Sequence, residues 1–176
     1  MGITTKTGDS GKTSLLFGKK IPKDDLRVEA CGTLDELCSF LGMAKSLITE
    51  RGLKSVIESI QKDLFVIGTE VAAAPKHLNK LKKRITKNSV SKMDELIGSW
   101  EVKNRSRATC FCLPGENLVS SSFDISRTIA RRAERTLVTL KRKKIVSNGD
   151  IIVYLNRLSD LLYLFARSYG QKTKTK

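Results

Sequence analysis

Three clusters in this chain carry residue types suited to gripping an anion. The first is Gly8-Asp9-Ser10-Gly11-Lys12-Thr13-Ser14. Glycines let backbone N–H groups approach an anion, while Lys6, Lys12, Thr7, Thr13 and Ser14 add donors for phosphate oxygens. It is not a Walker A loop. That motif needs Gly-x-x-x-x-Gly-Lys-Ser/Thr after a buried strand. The position five before Gly11 is Lys6, and only five residues precede Lys6. The plain alternative for this segment is a solvated N-terminus.

The second cluster is Arg127-Thr128-Ile129-Ala130-Arg131-Arg132-Ala133-Glu134-Arg135. Positions 127, 131, 134 and 135 fall on one helical face, so three guanidiniums surround one carboxylate, and Arg132 departs from that face. Such a stripe is either a solvated surface laced by Arg–Glu pairs or a clamp whose bidentate forks match phosphate oxygens. The third is Asn156, Ser159, Asp160 and Tyr163, a polar stripe beside a leucine face. The Asn156 amide both donates and accepts, which suits a base edge, a phosphate or sugar oxygen, or a neighbouring helix. The lone His77 sits in a basic loop without Ser/His/Asp or metal-ligand spacing. No CxxC pair exists among Cys31, Cys38, Cys110 and Cys112, so reduced, packed thiols are expected. Phe111 reads by default as a core aromatic.

Helices must position these groups. Residues 1–30, with Gly2, Gly8, Gly11 and Gly18, predict an ordered loop or short hairpin. Thr33-Leu34-Asp35-Glu36 has capping-box spacing, which predicts a helix starting there, ending near Arg51 and Gly52, with Asp35 in its first turn. Leu53, Val56, Ile57, Ile60, Leu64, Ile67 and Val71 predict a second helix that stops before Pro75. Met93, Leu96, Ile97 and Trp100 line a short third, flanked by basic loops. Leu118, Ile125, Ile129, Leu137 and Leu140 outline a fourth, ending in Lys141-Arg142-Lys143-Lys144, cations suited to a helix C-terminus. Asn148 or Asp150 caps a fifth, which runs through Ile151, Leu155, Leu158, Leu162 and Phe165 to about Tyr169. Residues 170–176 are expected to fray. The fold class is therefore all-α, a five-helix bundle with an ordered N-terminal loop, in a single domain of 176 residues.

Thirty-three Lys and Arg against eighteen Asp and Glu leave a net charge of +15. That balance predicts an anionic partner such as a nucleotide, a nucleic acid or an acidic lipid. No apolar run approaches the roughly 20 residues of a membrane span, and Met1 to Lys6 lacks a signal core, so a cytoplasmic protein without membrane partners is expected. A basic helical nucleic-acid-binding module without catalysis is the rival reading. It draws on the Lys and Arg of residues 76–107 and on Lys141–Lys144, but aromatics are only 6%, too few for base stacking.

Taken in order, Thr5-Lys6-Thr7-Gly8-Asp9-Ser10-Gly11, Pro22-Lys23-Asp24-Asp25, Arg27-Val28-Glu29-Ala30, Gly32-Thr33-Leu34-Asp35-Glu36-Leu37, Leu113-Pro114-Gly115, Arg127 through Arg135, and Leu155-Asn156-Arg157-Leu158-Ser159-Asp160 resemble the PduO-type ATP:cob(I)alamin adenosyltransferase family. The resemblance spans about residues 4–168. It implies a homotrimer with ATP held between neighbouring subunits, residues 1–30 forming the N-terminal ATP loop. Implied ATP contacts are Thr5, Lys6, Thr7, Gly8, Thr13, Ser14, Lys23, Arg131, Arg132, Glu134, Arg135 and Asn156. It also implies an interface salt bridge between Asp35 and Arg127, and an aromatic wedge at Phe111 that excludes the lower axial ligand of cob(II)alamin.

The implied reaction moves the 5′-deoxyadenosyl group of ATP to cobalt. Co(I) is the nucleophile at C5′ and triphosphate leaves, with Mg²⁺, Lys and Arg (Arg131 foremost) stabilising the growing charge. No metal ligands are assigned. A reductase and an adenosylcobalamin-dependent enzyme are the implied protein partners. The chain departs from the family pattern at Cys31, at Glu116 after Leu113-Pro114-Gly115, and at Ser121-Ser122-Phe123-Asp124-Ile125 before Arg127.

Overall fold

A computed structural model of the protein describes residues 4, 6–18, 20–104 and 113–170. Its first ordered feature is a hairpin of β1 (Lys12–Ser14) and β2 (Lys20–Pro22), antiparallel, with Thr13 opposite Ile21. Five α-helices follow among the described residues: α1 (Leu26–Leu47), α2 (Arg51–Ala72), α3 (Lys87–Asn104), α4 (Leu118–Arg142) and α5 (Asp150–Tyr169). A 3-10 turn at Pro75–Lys80 joins α2 to the chain leading into α3.

The start of α1 corrects the capping-box expectation. Asp25, not Thr33, caps the helix, its carboxylate accepting from the Arg27 backbone N–H at 2.9 Å. Thr33 lies buried a further two turns in, and its Oγ1 donates to the Glu29 carbonyl at 2.9 Å. A mid-helix Thr satisfied by its own preceding turn no longer competes for a cap. Gly32 costs this helix about 1 kcal/mol relative to Ala, an amount that burial of Ala30, Leu34 and Leu37 on the same helix outweighs. Asp35 therefore sits in mid-helix. The other end differs too: α1 stops at Leu47, and Gly52 falls in the first turn of α2.

The remaining helices follow their apolar period. Leu53, Ile57, Ile60, Leu64, Ile67 and Val71 of α2 are all buried. In α4 the buried line is Phe123, Ile129, Ala130, Ala133, Leu137 and Leu140, whereas Leu118 and Ile125 are exposed. Asn117 caps α4 by accepting from the Ser120 N–H at 2.9 Å, and its amide donates to the Tyr169 carbonyl at the end of α5. The Asn148 side chain accepts from the Asp150 N–H at the start of α5, 3.1 Å away.

Packing neighbours run in the order α2, α1, α4, α5, α3. Helix α5 is the innermost, with Leu155, Leu158, Leu161, Leu162 and Phe165 fully buried. Phe165 meets Trp100 of α3 and Phe123 of α4 edge-on, centroids 4.6 and 5.2 Å away. Tyr154 of α5 donates to Asp63 of α2 at 2.9 Å. A buried carboxylate, Glu70, ties three segments together. It accepts from the Ile85 N–H at 2.6 Å, from Arg84 Nε at 3.0 Å and from the Asn148 amide at 3.0 Å.

Candidate functional site

The N-terminal loop is built by backbone turns. The Asp9 N–H reaches the Lys6 carbonyl, the Gly11 N–H the Gly8 carbonyl, and the Lys23 N–H the Gly11 carbonyl at 2.9 Å. Gly11 needs its φ of 73°, a left-handed conformation open to glycine, and Lys6 adopts φ 55° beside it. Gly8 matters for space. A Cβ there would come within 3.0 Å of the Lys23 ammonium, so the cation occupies the space that a side chain at position 8 would take.

The structure thus brings Gly8 and Lys23 together, with Lys6 and Thr7 exposed on the same loop. It separates Thr13 from Ser14. Adjacent strand residues face opposite sides, Thr13 with the buried Ile21 and Ser14 with exposed Lys12 and Lys20. The hairpin seats on the bundle through Leu16, which lines a cleft between α1 and α2, and through Phe17, whose ring lies 5.0 Å from that of His77. Thr5 lies outside the described residues.

The arginine face is carried by α4 and α5. Arg131 and Arg135 are exposed, while Glu134 and Asn156 are half-buried. The Asn156 amide donates to Glu134 at 3.4 Å, and its carbonyl accepts from Arg157 at 3.2 Å. Arg157 Nε in turn donates to Asp94 of α3 at 2.8 Å. Burial lifts the Asp160 carboxyl above its usual range, and the nearby Arg157 and Arg131 oppose that rise. Arg131, Glu134, Asn156 and Asp160 therefore converge where α4 meets α5. Arg132 turns the other way, and its guanidinium pairs with Glu36 of α1.

Asp35 stands exposed on α1 at the rim of a cleft of about 330 Å³ lined by Leu16, Cys31, Leu34, Cys38 and Phe65. It forms no ion pair among the described residues. Phe65, 67% exposed, makes this an apolar surface with a lone carboxylate. Arg127, on α4, is held within its own chain by Asp124, Nε to Oδ1 at 3.3 Å. Burial pushes the Cys31 thiol up, with Arg27 opposing, and burial likewise raises Cys38. Phe111, Cys110 and Cys112 lie outside the described residues. The following segment resumes with Leu113, 79% exposed, and with Gly115 at φ 113°.

Two members of this region escape sequence reasoning. Asp124 announces itself only as an acid three residues before Arg127. Its other partner, Arg167, lies 43 residues away and nothing in the sequence pairs them.

Comparison with known proteins shows the family. Residues 3–169 match the family model described as cobalamin adenosyltransferase. A corrinoid adenosyltransferase from Citrobacter freundii is 39% identical over 165 residues, covering 94% of this chain and 93% of that protein. Two solved structures of variants of a PduO-type ATP:corrinoid adenosyltransferase from Lactobacillus reuteri are each 34% identical to it. The one complexed with ATP superimposes with a TM-score of 0.84, covering 95% of this chain and 93% of the other. The one complexed with cobalamin and ATP gives 0.82, covering 94% and 92%.

Proposed function

The chain belongs to the cobalamin adenosyltransferase family, and on that premise we propose how its residues transfer the 5′-deoxyadenosyl group of ATP to the cobalt of cob(I)alamin. The Co(I) electron pair forms the Co–C5′ bond, the C5′–O bond breaks, and triphosphate departs with that bonding pair. The observation that carries the reading is the match of one family over residues 3–169, the whole bundle together with its hairpin. It removes the ground for a basic nucleic-acid-binding module, whose charge is accounted for by a polyphosphate.

Each group has a task. Lys23 beside Gly8, with Lys6, Thr5, Thr7 and the exposed strand residue Ser14, binds the triphosphate, and Thr13, on the opposite face of β1 beside Ile21, supports the hairpin. Arg131 and Arg135 gather the negative charge that grows on the leaving group, a contribution larger in the transition state than in the ground state. Glu134 orients the Asn156 amide toward the nucleoside, and Arg132 braces α4 on α1 through Glu36. Phe111 supplies the apolar wedge on the corrin side. Magnesium enters with the substrate as Mg–ATP. The described residues hold no group of three or more His, Cys, Asp or Glu to cage an ion, and no step is assigned to it.

The hairpin is seated on α1 and α2 and the arginine face on α4 and α5, so we assign the complete site to two neighbouring copies in a homotrimer. Asp35 of one copy then meets Arg127 of the next, closing the apolar rim around Phe65 and Leu16. The chain acts as one domain, with residues 1–30 as its ATP loop. It works in the cytoplasm, supplied with reduced corrinoid by a reductase and delivering adenosylcobalamin to an enzyme that uses it. No helix among the described residues is long and apolar enough to cross a membrane.

The test is anaerobic turnover of Mg–ATP and cob(II)alamin with a reductant, following adenosylcobalamin by its spectrum and assaying triphosphate. Both products form in the wild type, and Arg131→Ala loses at least about tenfold in rate, the equivalent of one charge-assisted contact. No turnover with verified cob(I)alamin overturns the reading.

A further inference from the structure

Four charged side chains form a line from the Leu113-Pro114-Gly115 turn to the arginine face. Glu116 Oε1 lies 3.5 Å from Arg167 Nη1, Arg167 Nη2 pairs with Asp124 Oδ2, and Asp124 Oδ1 accepts from Arg127 Nε at 3.3 Å. The middle of the line is desolvated: the side chains of Asp124 and Arg167 are 6% and 3% exposed. Tyr163 covers the guanidinium of Arg167, ring centroid 5.6 Å away. Arg127 itself is 27% exposed, and its two terminal nitrogens make no hydrogen bond among the described residues. An arginine held only at Nε, against a carboxylate fixed from behind, presents its two terminal N–H₂ groups outward at a set angle.

We propose that Asp124, itself fixed by Arg167, is a positioning residue that orients the terminal nitrogens of Arg127 toward Asp35 of the neighbouring copy at the edge of the active site. The inference rests on the proposed pairing of Arg127 with Asp35 across the active-site interface and adds to it two residues that touch neither substrate. A surface Asp–Arg pair three residues apart is worth little, because both charges stay hydrated. Here the carboxylate is buried and its second oxygen is committed to a buried cation, so it cannot rotate away to solvent. The charges alternate along the line, which lets each ion be compensated by its neighbours instead of by water.

The experiment is a double-mutant cycle on the full-length enzyme, reading kcat and KM for ATP. Arg127→Ala first tests the premise, and wild-type turnover in that variant removes the premise. Given a loss there, Asp124→Asn is expected to lower kcat about tenfold with KM for ATP changed less than about twofold, since it releases one charged hydrogen bond. Placed on Arg127→Ala, the same substitution adds no further loss, because residues acting as one unit are not additive. An equal further loss in the Arg127→Ala background overturns the proposal while leaving Arg127 its role. Asp124→Glu, which keeps the charge, recovers part of the rate. If thermal melts find Asp124→Asn unfolded, Glu116→Gln at the far end of the line, where the side chain is 21% exposed, takes its place. It is expected to lower kcat by severalfold in the wild type and not at all in Arg127→Ala, and equal losses in the two backgrounds again overturn the proposal.

Discussion

Asp35 isolates the difference between a residue that holds the fold and one that serves the site. In the single chain it is exposed, unpaired among the described residues and placed beside an exposed phenylalanine. Its replacement by Asn therefore leaves monomer stability within about 0.5 kcal/mol. In the proposed trimer it faces the Arg127 of a neighbour, where losing its charge would remove that guanidinium's partner across the interface. Asp35→Asn is thus expected to keep its helical content while turnover falls at least about tenfold, a contrast that circular dichroism and the adenosylation assay read side by side. Much of this residue-level picture is legible in the sequence. Arg132 departs from the 127–131–135 face by helical angle alone, and the structure turns it to Glu36. What the sequence hides is the Asp124–Arg167 pair. Such pairing depends on how α4 and α5 cross, which no local spacing encodes.

Among the elements, α2 and α5 were legible because each buries a continuous apolar stripe at helical period, and α4 in part, since Leu118 and Ile125 of its stripe are exposed while Ile129, Leu137 and Leu140 are buried. Helix α1 was not, because its true cap, Asp25, lies in a charged run that reads as loop, while Thr33 imitates a cap from inside the helix. The Glu70 cluster joins the end of α2, the chain before α3 and the turn before α5. Glu70→Ala leaves the buried Ile85 N–H without its acceptor and Arg84 without its carboxylate, while the Asn148 amide keeps only the Ile85 carbonyl at 2.9 Å; it should cost about 2–3 kcal/mol, read as a lower denaturant midpoint. The 3-10 turn gives the hairpin a pH dependence. Desolvation first, then Lys80 and Lys76, depress the His77 imidazole below its ordinary 6.5. The folded chain therefore favours the neutral ring. The stability this contributes is complete above the unfolded value and is lost as pH falls through the lower folded one. A proton NMR titration of this sole histidine should find its midpoint below 6.5, and Phe17→Ala should move it upward.

For the whole molecule, a site divided between copies makes a quantitative statement. On the proposed assignment Lys23→Ala damages the hairpin half and Arg131→Ala the clamp half, so each variant alone is expected to lose most of its activity. If each site takes its hairpin from one copy and its clamp from the next, an equimolar mixture reassembled at random restores about a quarter of the sites. Recovered activity in the mixture checks this, and a mixture as inactive as its parents places the whole site within one chain.

The contact between Lys23 and Gly8 carries its own consequence for binding thermodynamics. Because the Lys23 ammonium already occupies the space beside Gly8, the polyphosphate of the proposed reaction would meet a cation that is in place before binding. The entropy that association must still remove then belongs mostly to the flexible nucleotide and to the relative motion of the copies, not to the hairpin.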